Sequence, residues 1–405
     1  MKKKALSLVL ASAMVASLVG CGSSAETETP SAAETTTTEA AATEAAATET
    51  ATTEAAATEA ATTDNSDKKI AMITDSGDIT DESFNQITWE TCVAYGEANG
   101  IETQYYKPAE DTDEERINAV DLAVAEGATV VVMPGYLFGP AIAEEQDLYP
   151  DVTFIAVDVT EGDIVNLAGE SVALGSNVYI CSFQEEQAGY LAGYAAVKDG
   201  YTSLGFLGGI AVPAVIRYGF GYIQGINAAA EEMGVDVDVK YYYGGQFYGD
   251  DAITARMEGW YADGTQVVFA CGGGIYTSAV DAAAQYDGKV IGVDVDQFPK
   301  IGDACITSAM KGLAPTVKTA LDAIKDGNWE SDYAGKIDNL GLVSENPEDN
   351  YVQLPMETTQ WDDNFTVDDY KDLVKKLYNG EIEVSSDITA MPETEITVND
   401  YGSIK

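Results

Sequence analysis

Residues 68 to 345 predict two doubly wound, parallel-sheet α/β lobes in succession, joined by a hinge. Three observations predict this fold. Apolar runs of strand length alternate with amphipathic stretches of helix length, with short connections and glycines at the junctions; that alternation belongs to a parallel sheet covered on both faces. The series then starts a second time. The chain that remains once its N-terminal segment is set aside is longer than one ordinary domain.

Taken in order, "KKIAMITD" is a buried strand ending at Asp75, and "SFNQITWETCVAYGEANG" is the helix that follows, closed by Gly100. "IETQYYK" is a strand, "DEERINAVDLAVAEG" a helix, "ATVVVMPG" a strand, "PAIAEEQDLYP" a helix and "VTFIAVD" a strand ending at Asp158. The second series opens with the helix "SFQEEQAGYLAGYAAVKDG" and the strand "SLGFLGG". It continues through "AVIRYGFGYIQGINAAAEEMG" (helix), "VDVKYYYGG" (strand), "AITARMEGWYADG" (helix), "TQVVFACGGG" (strand), "YTSAVDAAAQYDG" (helix) and "KVIGVDVD" (strand). "ACITSAM" and the helix "PTVKTALDAIKDG" are expected to cross back and complete the first lobe. The resulting boundaries are 68–178 for lobe 1, 179–299 for lobe 2, 300–345 for the return to lobe 1, and 346–405 for a hinge crossing with a C-terminal extension.

The N-terminal segment reads differently. "MKKK" and "ALSLVLASAMVASLV" form a basic region and a short apolar core, and Leu18, Val19 and Gly20 before Cys21 match a lipobox. Residues 1–20 therefore read as a lipoprotein signal peptide, with Cys21 as the acylated residue that ties the chain to a bacterial cell membrane on its extracytoplasmic face. Residues 21–67, almost wholly Ala, Thr and Glu, have nothing to bury and read as a disordered tether.

Composition narrows the chemistry. The net charge of −47 excludes nucleic acid as a partner. With no histidine in the chain, histidine bases, histidine metal ligands and Ser-His-Asp machinery are excluded as well. Cys92, Cys181, Cys271 and Cys305 lack CxxC spacing and read as buried free thiols. No catalytic residue, metal or cofactor is assigned.

In doubly wound sheets, ligands lie outside the carboxyl ends of the strands. Those ends carry Asp75, Gly135, Asp158, Gly208 and Gly209, Gly244 to Tyr248, Gly272 to Gly274, and Asp294. In "SGDITDESFNQITWE", Phe84 and Asn85 stand at a helix start, where they can stack on and hydrogen-bond a planar polar ring. Asp78, Asp81 and Glu82 fit helix capping as well as ligand contact. Phe247 and Tyr248 fall outside the strand alternation of "YYYGGQFYGDD", so either can form the opposite wall. Asp294 in "GVDVDQ" can accept two hydrogen bonds from vicinal hydroxyls, and Lys311 in "SAMKG" is one of few basic groups in an acidic region.

"SGDITDESFNQITWE", "EEQAGYLAGYAA", "LGFLGGIAVPAVIRYGFGYIQG", "VVFACGGGIYTSAVDAA", "VIGVDVDQ" and "TSAMK", in this order over residues 68 to 325, resemble the BMP family of lipoprotein substrate-binding proteins, in particular its purine nucleoside receptors. The resemblance implies a periplasmic-binding-protein type I fold and delivery of a nucleoside to the permease subunits of an ABC importer. Carried over by position, Phe84 and Phe247 would sandwich the purine, Asp75, Asn85 and Asp158 would bond to polar edges of the ligand, and Asp294, Lys311 and Gly273 would hold the ribose. Competing readings are a surface nucleoside hydrolase or phosphorylase, which the incomplete acid set and missing histidine weaken, and a receptor of the same fold for another sugar-like ligand.

Overall fold

A computed structural model describes residues 68–403; the signal peptide, Cys21 and the whole tether lie outside the described residues. The first series is β1 (Lys69–Ile73), α1 (Phe84–Asn99), β2 (Glu102–Tyr106), α2 (Asp113–Ala125), β3 (Val130–Pro134), α3 (Gly139–Glu145), β4 (Thr153–Val157) and β5 (Val178–Phe183). The second is α4 (Glu185–Lys198), β6 (Ser203–Gly208), α5 (Pro213–Met233), β7 (Asp238–Tyr243), α6 (Asp251–Ala262), β8 (Val267–Cys271), α7 (Tyr276–Tyr286), β9 (Lys289–Asp294), α8 (Phe298–Ile301) and β10 (Cys305–Lys311). The chain then adds α9 (Leu313–Asp326), α10 (Trp329–Asp332), β11 (Lys336–Leu340), β12 (Val352–Gln353), α11 (Val367–Tyr378) and β13 (Thr397–Ser403).

These elements make two sheets. One has the order β11-β5-β4-β3-β1-β2 and is parallel throughout; the other has the order β12-β10-β9-β8-β6-β7-β13, with only β12 antiparallel. The two-residue period of the strands sorts their side chains. Ala71, Ile73, Val131, Met133 and Phe154 enter one core, while Ile70, Met72, Val130, Val132 and Ile155 enter another across the same sheet. Each fully buried Val or Ile contributes roughly 1.5–3 kcal/mol, so a one-residue slip of register would be very costly.

In the second lobe, α4 and α5 pack backbone to backbone. A Cβ at Gly189 would come within 2.1 Å of the Tyr218 carbonyl oxygen, and one at Gly221 within 2.0 Å of that of Glu186. Only glycine fits either place, and the close crossing sets Glu185, at the start of α4, against Arg217 on α5. Three chain segments join the lobes side by side. The Gln184 N–H donates to the Leu340 carbonyl (2.9 Å), the Tyr351 N–H to Gly341 (3.1 Å) and the Gly312 N–H to Tyr351 (2.7 Å).

The boundaries differ from the sequence reading in two places. Residues 178–183 form β5, which pairs with β4 and β11 in the first lobe's sheet, so the second lobe begins at α4 and not at 179. The expected helix "SFQEEQAGYLAGYAAVKDG" loses its first residues, because Ser182 and Phe183 end the strand "VYICSF" and α4 starts at Glu185. "ACITSAM" does not return to the first lobe: β10 pairs in parallel with β9, and Ile306 and Ala309 are buried in the second lobe's core. The return therefore starts after Lys311, with α9. In the C-terminal extension, to which the sequence assigned no conformation, β13 adds a parallel edge strand beside β7. The placements of β5 and β10 depend on which sheet a short buried run joins, and local pattern carries no such information. Cys92, Cys181, Cys271 and Cys305 are buried free thiols.

Candidate functional site

The carboxyl ends of both sheets face a cavity of about 920 Å³ to which both lobes contribute. This lies within the roughly 300–1,000 Å³ of small-molecule sites. Its first wall is the loop after β1. The Asp75 carboxylate accepts from the Gly77 N–H (2.7 Å) and from Asn85 Nδ2 (2.9 Å). The Asp81 carboxylate accepts from the backbone N–H groups of Ser83, Asn85 and Gln86 and from Asn85 Nδ2. Asp81 thus caps the N-terminus of α1, whose first N–H groups have no partner within the helix. Burial pushes the Asp75 carboxyl up to about 6 against the opposing pull of Gly77 and Asn85, and burial raises Asp81 in the same direction.

The second wall is built on glycine. The Phe247 ring lies against Gly209 and Gly272, where an added Cβ would meet its Cδ1 at 2.5 and 2.9 Å; Gly272 also has φ 140°, which side chains seldom adopt. Tyr248 follows but is 63% exposed.

Lys311 sits at the hinge end, 5% exposed. Its Nζ donates to Asp158 Oδ2 and lies 3.5 Å from Glu185 Oε1 and 3.6 Å from Asp294 Oδ1. It also stands 4.7 Å from the centre of the Phe84 ring, within range of a cation–π contact. Asp158 and Asp294 end β4 and β9, one in each lobe, and both adopt left-handed backbone, φ 60° and 65°. Non-glycine residues held there store strain of order 1–3 kcal/mol, a pattern concentrated at functional sites. Burial pushes the Asp158 carboxyl up although the Lys311 ammonium opposes it. Burial also works against the Lys311 ammonium, but the carboxylates of Asp158, Asp294 and Glu185 outweigh it and keep the lysine charged. Glu185 accepts from Arg217 Nε (2.6 Å). Among the described residues, Asp158 Oδ1 is a buried acceptor without a hydrogen-bond donor.

The lobes touch across the cleft. Ser83 Oγ donates to Asp294 Oδ2 (2.5 Å), Gln297 Nε2 to the Glu82 carbonyl (3.1 Å) and Lys300 Nζ to Glu82 Oε1 (2.9 Å). Glu82 itself has φ 53°. These contacts describe a closed arrangement.

All eight expected ligand residues, Asp75, Phe84, Asn85, Asp158, Phe247, Gly273, Asp294 and Lys311, line this one cavity. Asn85 differs in detail from the expectation. Both protons of its amide go to Asp75 and Asp81, and its Oδ1 accepts from the Asp75 N–H (3.3 Å), so it chiefly orients Asp75. Sequence reasoning missed Ser83, Glu185, Arg217 and Tyr218, whose hydroxyl lies 3.4 Å from Asp294 Oδ1. Arg217 had a signal, being a lone basic residue in the apolar run "AVIRYGFGYI". Glu185 had none, because an acid in a first helical turn reads as a dipole partner.

Two doubly wound lobes joined by three crossings, closing at their strand ends on one cavity lined by residues of both, define a substrate-binding protein of the periplasmic-binding-protein type. The chain belongs to the Bmp family: residues 68–387 match the family model for PnrA-like ABC transporter substrate-binding proteins. The ABC transporter nucleoside-binding protein BmpA of Lactococcus lactis subsp. cremoris is 27% identical over 289 residues, 65% of this chain and 77% of that protein. Basic membrane protein B of Borreliella afzelii is 26% identical over 324 residues, covering 78% and 87%. Among solved structures, an ABC transporter solute-binding protein from Aeropyrum pernix K1 superposes with a TM-score of 0.63 at 19% identity, covering 81% of this chain and 94% of that one. A second, from Conexibacter woesei, gives 0.61 at 24%, covering 79% and 99%. Membership implies a small-molecule ligand, a partner permease and work at the extracytoplasmic side of a membrane; among the described residues no helix is long and apolar enough to cross one.

Proposed function

We propose that this protein captures a nucleoside, with purines favoured, in the interlobe cleft and delivers it to an ABC importer. The observation that carries the reading is the convergence of one phenylalanine from each lobe, Phe84 and Phe247, with Asp75, Asp158, Asp294 and Lys311 around one cavity. Aromatic rings stack on a flat base for roughly 0.5–1.5 kcal/mol per pair beyond burial. The acceptor set suits the hydroxyls of a ribose, and the unpartnered Asp158 Oδ1 is a place for one of them. A ligand drives closure only by binding the closed state better than the open one, and contacts from both lobes meet that requirement. The nucleoside-binding relative from Lactococcus supports the same ligand class.

In this reading Cys21 carries the lipid that holds the protein at the membrane, and residues 21–67 span the distance to the permease. Calorimetry against a panel of purine and pyrimidine nucleosides tests the ligand class. Heat with purine nucleosides, reduced at least tenfold in affinity by Phe84→Ala, is expected from the loss of one stacking wall. No heat with any nucleoside, or release of free base from inosine, would overturn the proposal. Cys21→Ala is expected to move the protein from the membrane to the soluble fraction.

A further inference from the structure

Polar groups make up only part of the cleft. Beyond Gly209, on which the Phe247 ring rests, the cavity wall continues through Ile210 and Val212, and Ile388 joins it from the C-terminal segment. Ile210 is 37% exposed, so this apolar wall is open to an occupant. Ile388 is held in place on both sides. Before it, Ser385 exchanges two hydrogen bonds with the Gln224 side chain on α5, N to Oε1 at 2.9 Å and Nε2 to O at 3.0 Å. After it, the Glu395 N–H donates to Asn227 Oδ1 (2.9 Å) and β13 pairs with β7. Ile382, Val384, Met391 and Ile396 pack on the second lobe's core. The segment is therefore a strap fastened along α5, with Ile388 at the cleft. The family match ends at Asp387, so Ile388 and the strand that anchors the strap lie outside what the family model describes.

We propose that the C-terminal strap is a specificity element: Ile388, with Ile210 and Val212, forms an apolar edge of the cleft that selects nucleosides carrying an apolar substituent on the base. This rests on the nucleoside reading above. Ile210 directly follows Gly209, on which the Phe247 ring rests, so this edge begins at the aromatic wall that the nucleoside reading gives to the base. The cavity of about 920 Å³ is in the range that holds drug-sized ligands, which are larger than a bare nucleoside.

The test is competition calorimetry on the full chain with two matched pairs, adenosine against N6-benzyladenosine and guanosine against N2-benzylguanosine. In at least one pair the unaltered protein is expected to prefer the benzylated member, and Ile388→Ser is expected to shrink that ratio about tenfold, as loss of an apolar contact predicts. Ile210→Ser, on the other side of the same edge, is expected to act in the same direction. Rejection of both benzylated compounds, or an unchanged ratio in both variants, overturns the proposal while leaving nucleoside binding in place. If neither parent nucleoside gives heat, the nucleoside reading fails and the proposal falls with it.

Discussion

The two walls of the cleft are built by different means. The first lobe fixes its groups with side chains: Asp81 caps α1, Asn85 is clamped between Asp81 and Asp75, and Asp75 is thereby aimed. The second lobe fixes its group with absent side chains, since Phe247 is seated on the bare backbone of Gly209 and Gly272. Charge placement is thus determined by a hydrogen-bond network, and shape by glycine. At the hinge the lobes become alike, each offering a strand-end aspartate in left-handed conformation to Lys311.

That contrast can be broken at the point where the lobes are alike. Lys311→Met removes the cation shared by Asp158, Glu185 and Asp294 and leaves buried carboxylates facing one another; a loss of about 3–5 kcal/mol in unfolding free energy is expected by denaturant titration. Next in size is Gly272→Ala in the second wall. The new Cβ displaces the Phe247 ring, and the expected cost in ligand binding is about 1–3 kcal/mol, measured by calorimetry, with little change in the pH profile of stability.

The first wall should show the opposite signature. Asp75 has its folded value raised to about 6 by burial, so the folded chain binds more protons than the unfolded one between the usual carboxylate range and that value. Stability from this group is present at low pH and is lost as pH rises through about 6, with a slope of at most about 1.4 kcal/mol per pH unit. Asp75→Asn keeps the acceptor oxygen but not the proton, and is expected to flatten that part of the melting-temperature profile. The smallest effect belongs to the rim. Lys300→Gln cuts the exposed bridge to Glu82, and exposed ion pairs contribute little; a fall in ligand affinity of no more than about fivefold, with unchanged unfolding of the ligand-free protein, would identify the bridge as a contact of the closed form.

Much of the site was legible because strand-end positions are marked by residues that stop strands. Asp75, Asp158, Asp294 and the glycines of "ACGGG" follow apolar runs directly. The lobe membership of β5 and β10 was not legible, because "VYICSF" and "CITSAMK" are buried on both faces and nothing within either run says which sheet it joins. Nor was the role of Asn85 as an orienting group. A side chain at a helix start can face ligand or neighbour, and only the positions of Asp75 and Asp81 decide which.

The side-by-side crossings at Gln184, Gly312 and Gly341 have a consequence for how the molecule is made. Neither sheet is encoded by one continuous stretch: the first waits for Leu340 and the second for Ser403. Such long-range pairing is slow to assemble. A chain emerging N-terminus first therefore holds neither complete sheet until Leu340 and then Ser403 have been made, so both lobes finish folding late in synthesis.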